Sequence, residues 1–484
     1  MKFKSAKILA AMAVSMGLAL SPVAAEENVK VLVIDSGSDF THEALKPLAF
    51  ANPEELNGKA GVDDDGNGYA DDVFGWNFVE NHATLVNLKD TPPAYDEVLR
   101  CMQLIGILQA YGKEALKPEE FQYLVTHYND QKFWPWVEFT GGWAHGTHCA
   151  GIVSTKNQNV SLNAIKHIPT GNGPAEEMVQ ALNSLKHKFA HRRPSRSSRA
   201  DTETKQVPLE ELEKAFIELG QQYIAQVQAK ADYIGSLNPR LINCSFGSEN
   251  STMMQVMKQN MVQSWGFVDP TDEQVQEVVN MFVKNAFLPR DKAMFAKATN
   301  ALVFVAAGNS SEDLDPFVMS PNDVPIENKI VIAATDADQK IAPFSCYGKK
   351  NVDVAVPGVN IYSTYPNQQM GYMSGTSMAC PLAVNFGAQV LYINPDLTPV
   401  QLKKILMETV DKKAWLADKV KSGGVINVTR AMFAADQIKA GKDLDEAIKM
   451  ALETVPDKTT RAPHKTRPNL KDPMVKKLYF SIIR

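Results

Sequence analysis

Five short runs along the chain are almost continuously apolar, and each is followed by a turn. They cover residues 29–34, 241–246, 301–306, 329–334 and 352–356. A strand with one face in water alternates apolar and polar positions, whereas a parallel strand covered on both faces is apolar throughout. The pattern therefore predicts an α/β protein with a doubly wound, mostly parallel sheet and helices on both faces. In such a sheet the functional site lies beyond the carboxyl ends of the strands.

Three long stretches between these runs have helical rather than alternating periodicity. They lie near residues 85–140, 171–232 and 250–300 and are rich in Gln, Glu, Lys, Leu and Met, which favour helices. We interpret them as helical insertions in a single core domain of residues 26–439. Residues 440–484 then form a C-terminal helix, predicted at 443–454, and a basic tail predicted to be disordered.

The first 25 residues have the pattern of a secretory signal peptide. Three lysines precede the apolar stretch 8–20, and small residues at 23–25 form a cleavage site. That stretch is short and is interrupted by Ser15 and Gly17, so a stable membrane anchor is not expected. The mature chain is predicted to begin near Glu26 and to be secreted or periplasmic. This start leaves no room for an N-terminal propeptide, so the chain is expected either to fold unaided or to use a separate inhibitor or partner protein, or the C-terminal tail, in its place.

Four polar residues stand where chemistry is expected. Asp35 ends the first apolar run, Asn309 follows the third, and His145 opens a segment compatible with a helix. Ser377 lies in a Gly-Thr-Ser turn at the head of another apolar, helix-compatible segment. A serine hydroxyl is a poor nucleophile, and it needs a base, a group that orients the base, and donors for an oxyanion. The sequence offers a candidate for each part.

The order Asp, His, Ser is that of subtilisin-type triads, and neither the chymotrypsin type nor the α/β-hydrolases share it. The chain resembles the subtilisin-like serine proteases in four motifs: Val33-Ile34-Asp35-Ser36-Gly37, His145-Gly146-Thr147-His148, Ala306-Ala307-Gly308-Asn309 and Gly375-Thr376-Ser377-Met378-Ala379. The resemblance implies an exported endopeptidase that cuts peptides or proteins through an acyl-enzyme, with Asp35, His145 and Ser377 as the triad. It also implies Asn309 as an oxyanion donor and Ser245, Phe246 and Gly247 as an edge that pairs with substrate backbone.

Each of these residues also has a structural interpretation. Asp35 alone is typical of a turn, Ser377 of a helix N-cap, and residues 245–247 of an ordinary strand end. His145 and His148 are three apart, as metal ligands on one helix face can be, but no further ligands complete such a site nearby in the sequence. By the family pattern, His148 is a structural neighbour of His145. The segment after Ala379 departs from the family, which keeps a second hypothesis open: a catalytically attenuated subtilase fold that binds peptides or assembles with partners.

Cysteine content and charge narrow the possibilities further. The 484 residues include five cysteines, an odd number, and carry a net charge of −5 with both signs well mixed. No large basic face is expected, so nucleic acid is not a predicted partner. Cys149 and Cys380 are predicted to be buried free thiols beneath the site. A cysteine protease is disfavoured because none of the five cysteines lies in a turn like that of Ser377.

The segment 63–72 gathers five acidic side chains in ten residues. With Asp63 as position one, Asp65, Asn67, the Tyr69 carbonyl and Asp71 fall at alternate positions of a calcium-binding loop. Position twelve is Phe74 rather than glutamate, so a bidentate ligand must come from elsewhere. The sequence predicts a structural Ca²⁺ ion here, and an Asp/Gly-rich turn is the alternative; no cofactor is expected for catalysis.

Overall fold

The computed structural model describes residues 28–170, 174–189, 206–457 and 468–483. The predicted signal peptide lies outside these ranges. The strands are β1 (Val29–Asp35), β2 (Gly75–Asn77), β3 (Val160–Lys166), β4 (Leu241–Cys244), β5 (Leu302–Ala306), β6 (Lys329–Thr335), β7 (Val354–Pro357), β8 (Ile361–Tyr365), β9 (Gln369–Met373), β10 (Asp411–Lys412) and β11 (Gly424–Val425). The helices are α1 (Pro53–Asn57), α2 (Tyr95–Tyr111), α3 (Pro118–Tyr128), α4 (Trp134–Trp143), α5 (His145–Ser154), α6 (Pro174–Phe189), α7 (Leu209–Leu237), α8 (Asn250–Ser264), α9 (Asp272–Phe282), α10 (Leu288–Met294), α11 (Thr376–Ile393), α12 (Pro399–Glu408), α13 (Val428–Lys439), α14 (Leu444–Thr454) and α15 (Pro473–Phe480).

The main sheet has nine strands in the described part of the chain, in the order β10-β11-β7-β6-β5-β4-β1-β3-β2. Neighbouring strands are parallel except β10 and β11. The order runs outward from β1 in both directions, which is the doubly wound arrangement that the apolar runs predict. Strands β8 and β9 form a separate antiparallel hairpin.

Both faces of the sheet are covered. Along β1, Val31 and Val33 pack into the core on one face, whereas Leu32 and Ile34 pack into the core on the other. The first face lies against α2, α5, α11 and the C-terminal helices, and the second against α6 to α10. Burial on both sides is the reason why the strands are apolar without alternation.

The strand predicted for residues 241–246 ends two residues early, at Cys244. After this point the chain leaves the ladder because the Ser245 hydroxyl donates to the Ser377 carbonyl (2.9 Å). The structure also contains β3, which pairs with the full length of β1, although no apolar run marks it. Its sequence, VSLNAIK, contains Ser161, Asn163 and Lys166. These polar residues interrupt the apolar pattern, so the sequence does not indicate a strand here, although the strand is buried on both faces of the sheet.

Helix α9, in the third predicted insertion, combines a capping signal with an apolar stripe. In α9, the Thr271 side chain accepts a hydrogen bond from the N–H of Gln274, and the Gln274 side chain accepts one from the N–H of Thr271. The apolar positions of this helix are three or four residues apart, namely Val275, Val278, Val279 and Phe282, and all are buried. One side of each turn therefore faces the core while the ends are capped.

Disorder is the wrong prediction for residues 468–483. Asp472 caps α15 by accepting hydrogen bonds from the N–H groups of Met474 and Val475. Val475, Leu478 and Tyr479 are fully buried against the main core. The segment is polar on average, but its apolar residues fall on one helical face, which is enough to dock it. Within the residues that the structure describes, none of the helices has the length and apolar character to cross a bilayer.

Candidate active site

Asp35 and His145 form a buried pair at the carboxyl end of β1. Asp35 is the last residue of β1 and His145 is the first of α5. Nδ1 of His145 lies 2.6 Å from Oδ1 of Asp35, which also accepts a hydrogen bond from the N–H of Ser36 (2.7 Å). The carboxylate is fully buried and 7% of the histidine surface is exposed. The carboxylate thus fixes which ring nitrogen of His145 points away from it.

A tight contact between α5 and the turn after β1 sets the position of His145. The Ser36 hydroxyl donates to the Gly142 carbonyl and accepts from the N–H of Gly146. A Cβ atom at position 146 would lie 2.2 Å from the carbonyl oxygen of Gly37, so only glycine lets the helix approach this closely. The histidine is therefore held by the backbone beneath it as well as by Asp35.

Ser377 is the second residue of α11, and it is 5% exposed. Cys149 packs between α5 and the start of α11: its Sγ lies 3.9 Å from His145 Nδ1 and donates to the Ser377 carbonyl at 3.4 Å. The Ser377 hydroxyl donates to the Ser245 carbonyl at 3.1 Å. Rotation about the Cα–Cβ bond must turn Oγ toward His145 before it can act as a nucleophile, and such loose hydrogen bonding is common without substrate.

Asn309 lies after β5, and Thr376 holds its side chain. Asn309 Oδ1 accepts hydrogen bonds from both the N–H and the hydroxyl of Thr376, each at 2.9 Å. The same hydroxyl accepts a bond from the N–H of Gly308, whose φ of +108° favours glycine. Because the amide oxygen is engaged, the NH₂ group is available as a donor beside Ser377. Thr376 is a positioning residue that the sequence pattern alone does not predict. Its place directly before Ser377 in the motif is the signal in the sequence that could have identified it.

The three predicted substrate-binding residues lie beside the nucleophile but in different environments. Ser245 is buried, and it exchanges hydrogen bonds with Ser377. The Phe246 ring is half-buried and packs on His167, with ring centroids 5.0 Å apart. Gly247 follows at the rim, where an added Cβ would lie 3.2 Å from the Ser320 carbonyl. Substrate contact by these residues stays a prediction.

Known proteins resemble this chain over most of its length. A family model described as the subtilase family matches residues 26–429. The chain belongs to the subtilase family. It is 25% identical over 414 residues to "Subtilisin-like protease 1" of Plasmodium berghei (strain Anka), covering 84% of this chain and 50% of that protein. It is also 32% identical over 164 residues to "Serine protease AprX" of Bacillus subtilis (strain 168), covering 28% of this chain and 36% of that one.

This subtilase spans about half the length of its Plasmodium relatives, since it covers 50% of the P. berghei protein and 48% of the protein from Plasmodium vivax. Among solved structures, a cold adapted subtilisin-like serine proteinase matches 83% of this chain and 88% of its own, with 18% identity and a TM-score of 0.40. The A-subunit of the AB5 toxin from E. coli matches 84% of this chain and 92% of its own, with 16% identity and a TM-score of 0.42.

The five cysteines of this subtilase are free and buried, which confirms the prediction made for Cys149 and Cys380. Burial raises the pKa of the Cys149 thiol well above its usual range, so the sulfur stays protonated despite its closeness to His145. His148 is likewise buried, and its Nε2 lies 3.3 Å from the Gly371 carbonyl. Loss of solvation lowers the pKa of His148 to about 3, so the ring is neutral at ordinary pH. Neither group is poised to act as the nucleophile or the base.

The acidic loop after α1 distributes its carboxylates unevenly. Asp63 accepts hydrogen bonds from the N–H groups of Asn67 and Gly68, and Asp71 accepts one from the N–H of Gly61. The Tyr69 ring packs against Trp76 and Tyr233. In contrast, Asp65 is brought together with Glu55 and Asp72, and one carboxylate oxygen from each lies within 4.8 Å of the others. Of the predicted ligands, the structure places Asp65 in this cluster and Asn67 beside it, with its amide donating to Asp65 and Asp72.

Proposed function

We propose that the chain is a serine endopeptidase that hydrolyses peptide bonds through an acyl-enzyme. One observation carries the proposal: Asp35 and His145 form a buried pair at 2.6 Å, and Cys149 contacts both His145 and the carbonyl of Ser377 at the N-terminus of α11. Family membership supports the same reading. The attenuated, peptide-binding alternative is not favoured, because the sequence supplies every group that the chemistry requires and the Asp35–His145 pair is already formed.

The reaction follows from the roles of these groups. Ser377 Oγ attacks the scissile carbonyl carbon while its proton moves to Nε2 of His145, and Asp35 stabilises the imidazolium without taking the proton. The tetrahedral intermediate collapses, the C–N bond breaks, and His145 gives its proton to the departing amine. A water molecule then attacks the acyl-enzyme with His145 again acting as base, and the carboxylic acid product leaves Ser377 free.

The oxyanion of the intermediate is stabilised by the Asn309 NH₂ group and the backbone N–H of Ser377. The first N–H groups of a helix have no partner within the helix, and the helix dipole favours an anion at this end. Asn309→Ala is therefore expected to lower kcat by about a hundred- to a thousandfold with little change in KM. Steady-state kinetics on one peptide substrate measures both constants. A loss confined to KM would contradict this role.

Thr376→Val provides a graded companion to that variant. It removes the hydroxyl that orients Asn309 while keeping the N–H of residue 376 that binds the same oxygen. We expect kcat to fall by less than in Asn309→Ala, because one of the two contacts to Oδ1 remains. A larger loss than that of Asn309→Ala would show that Thr376 acts in another way.

We propose further that a Ca²⁺ ion stabilises the loop through Glu55, Asp65 and Asp72. Three carboxylates so close together suit a hard cation, because oxygen ligands are those that Ca²⁺ prefers. Asp72 is also 3% exposed, and burial raises its pKa. Of the predicted ligands Asp63, Asp65, Asn67, Tyr69 and Asp71, only Asp65 belongs to this cluster, and its other members are Glu55 from α1 and Asp72.

Chelation with EDTA is expected to lower the melting temperature. A cation present at a hundredfold excess over its Kd stabilises the native state by about 2.7 kcal/mol. Asp65→Ala should lose most of the shift on adding Ca²⁺, whereas the exposed Glu114→Ala should keep it. If EDTA leaves the melting temperature of the dialysed protein unchanged, and Asp65→Ala melts like the parent, the loop is simply a turn.

We propose an exported location, secreted or periplasmic, because residues 1–25 have the pattern of a signal peptide. A mature protein that begins near Glu26 in N-terminal sequencing would support this, and an uncleaved N-terminus would contradict it.

The peptidase proposal is tested by digesting casein with the purified chain, with and without a sulfonyl fluoride that acylates active serines. We expect digestion that the inhibitor abolishes. Digestion that resists the inhibitor but stops with a thiol reagent would overturn the assignment of Ser377.

A further inference from the structure

The C-terminal segment, residues 468–483, packs against the main core. In the sequence it comes well after the core domain, which is predicted to end at residue 439. Within α15, Val475, Leu478 and Tyr479 are fully buried. Two contacts tie the segment to α2 and to the turn that follows it in the first insertion. The buried Gln109 side chain donates to the Tyr479 carbonyl (2.8 Å), and Lys113 lies 3.6 Å from Asp472.

The same segment contacts the loop of Ser377 and lies close to the loop of Asn309. Ile483 forms a parallel β-bridge with Ser374, three residues before Ser377. The Tyr479 ring packs near Phe344, with centroids 6.3 Å apart. The Phe344 carbonyl accepts a hydrogen bond from the N–H of Ser311, two residues after Asn309. The end of the chain therefore lies along the loop of the nucleophile and close to the loop of the oxyanion donor.

We propose that the C-terminal segment is an autoinhibitory strap that occupies the backbone edge beside Ser377. The proposal rests on the proposed peptidase function in one respect, because it takes the ligand of the site to be an extended peptide. Such a ligand binds by adding a strand to a free backbone edge. The backbone at Ser374, three residues before Ser377, is a second edge besides that predicted at residues 245–247, and it is already paired with Ile483. Because the strap is tethered, it competes at a high effective concentration. Only the fraction of molecules with the strap displaced binds an extended ligand. The apparent Kd therefore equals the Kd of the displaced form divided by that fraction.

A purely structural role for the segment makes a different prediction. If α15 and the residues after it serve only to cover the core, loosening them lowers the melting temperature and leaves peptide affinity unchanged. If they form a strap, loosening them increases affinity for extended peptides. Ile483 suits the test because it is only partly buried and follows the helix that fills the core.

The experiment measures binding rather than turnover. In a Ser377→Ala background, the affinity for fluorescein-labelled unfolded casein is measured by anisotropy for three proteins: the parent, Ile483→Asp, and the matched control Ile483→Val. Aspartate removes the apolar contact, so we expect the Kd of Ile483→Asp to fall about tenfold, which corresponds to about 1.4 kcal/mol. The valine variant should bind like the parent.

A second variant lacks residues 468–484, and a synthetic peptide of that sequence is added back. We expect the deletion to bind casein at least as tightly as Ile483→Asp and the added peptide to restore weaker binding. Equal Kd values for parent and Ile483→Asp, or failure of every form to bind, overturn the strap. Because Ser377→Ala removes hydrolysis from the measurement, tighter binding by Ile483→Asp supports the strap even where the parent chain proves inactive, which would contradict the peptidase proposal alone.

Discussion

Ser377→Ala is expected to lower peptide hydrolysis by about a millionfold, the scale of loss when the nucleophile of such a triad is removed. The change deletes one hydroxyl whose present partner is the Ser245 carbonyl. The fold should therefore survive, and the circular dichroism spectrum and melting temperature should remain close to those of the parent. The ratio of the two activities is measured from initial rates on an internally quenched fluorescent peptide. The parent enzyme is diluted until its signal equals that of the variant.

Cys149→Ala is the matched control for this prediction. The Cys149 sulfur lies 3.9 Å from His145 Nδ1, and its thiol is protonated because burial raises its pKa. We expect this variant to keep its activity within an order of magnitude, since only packing changes. Full activity in Ser377→Ala, or complete loss in Cys149→Ala alone, would mean that the nucleophile is assigned to the wrong atom.

Asp35→Asn is expected to lower kcat by about ten-thousandfold, as the equivalent change does in another serine protease. The amide has nearly the shape of the carboxylate, so the site should remain assembled. Its NH₂ group can donate to Nδ1 of His145 and thereby stabilise the tautomer whose proton is on Nε2. That tautomer cannot accept the proton of Ser377.

The pH dependence of kcat/KM and the ranking of variants provide the check. The residual activity of Asp35→Asn should increase at high pH, where hydroxide can replace the missing base. KM should change little, because Asp35 is buried and does not contact substrate. A larger loss of kcat in Asn309→Ala than in Asp35→Asn would contradict the roles assigned to the two residues.

Much of the site could be predicted from sequence because short motifs carry its chemistry. Asp35 and Asn309 each follow an apolar strand, and parallel strands deliver their carboxyl ends to one edge. The sheet order agrees with this logic. What local pattern could not reveal is how distant segments hold one another. Thr376 binds Asn309 across 67 positions of sequence, and Ser245 binds Ser377 across 132.

Local sequence patterns do not reveal long-range contacts, and this also explains the other differences between the predictions and the structure. Glu55 joins the acidic cluster from α1, outside the loop whose spacing suggested calcium. Residues 468–483 are polar on average, and only their docking on α2 and the Ser377 loop reveals an ordered segment. Strand β3 is hidden because its polar residues find partners, as Lys166 does with Glu80 and Asn163 with the Phe50 carbonyl. In each case long-range contacts outweigh local composition.

The central claim is that Ser377 is a nucleophile activated by the Asp35–His145 pair. Its most direct test is covalent labelling with a fluorophosphonate, followed by intact mass and peptide mapping. We expect one adduct per molecule, located on Ser377, and much slower labelling in Asp35→Asn. An unlabelled protein that is folded by circular dichroism, or an adduct on any other residue, would contradict the account.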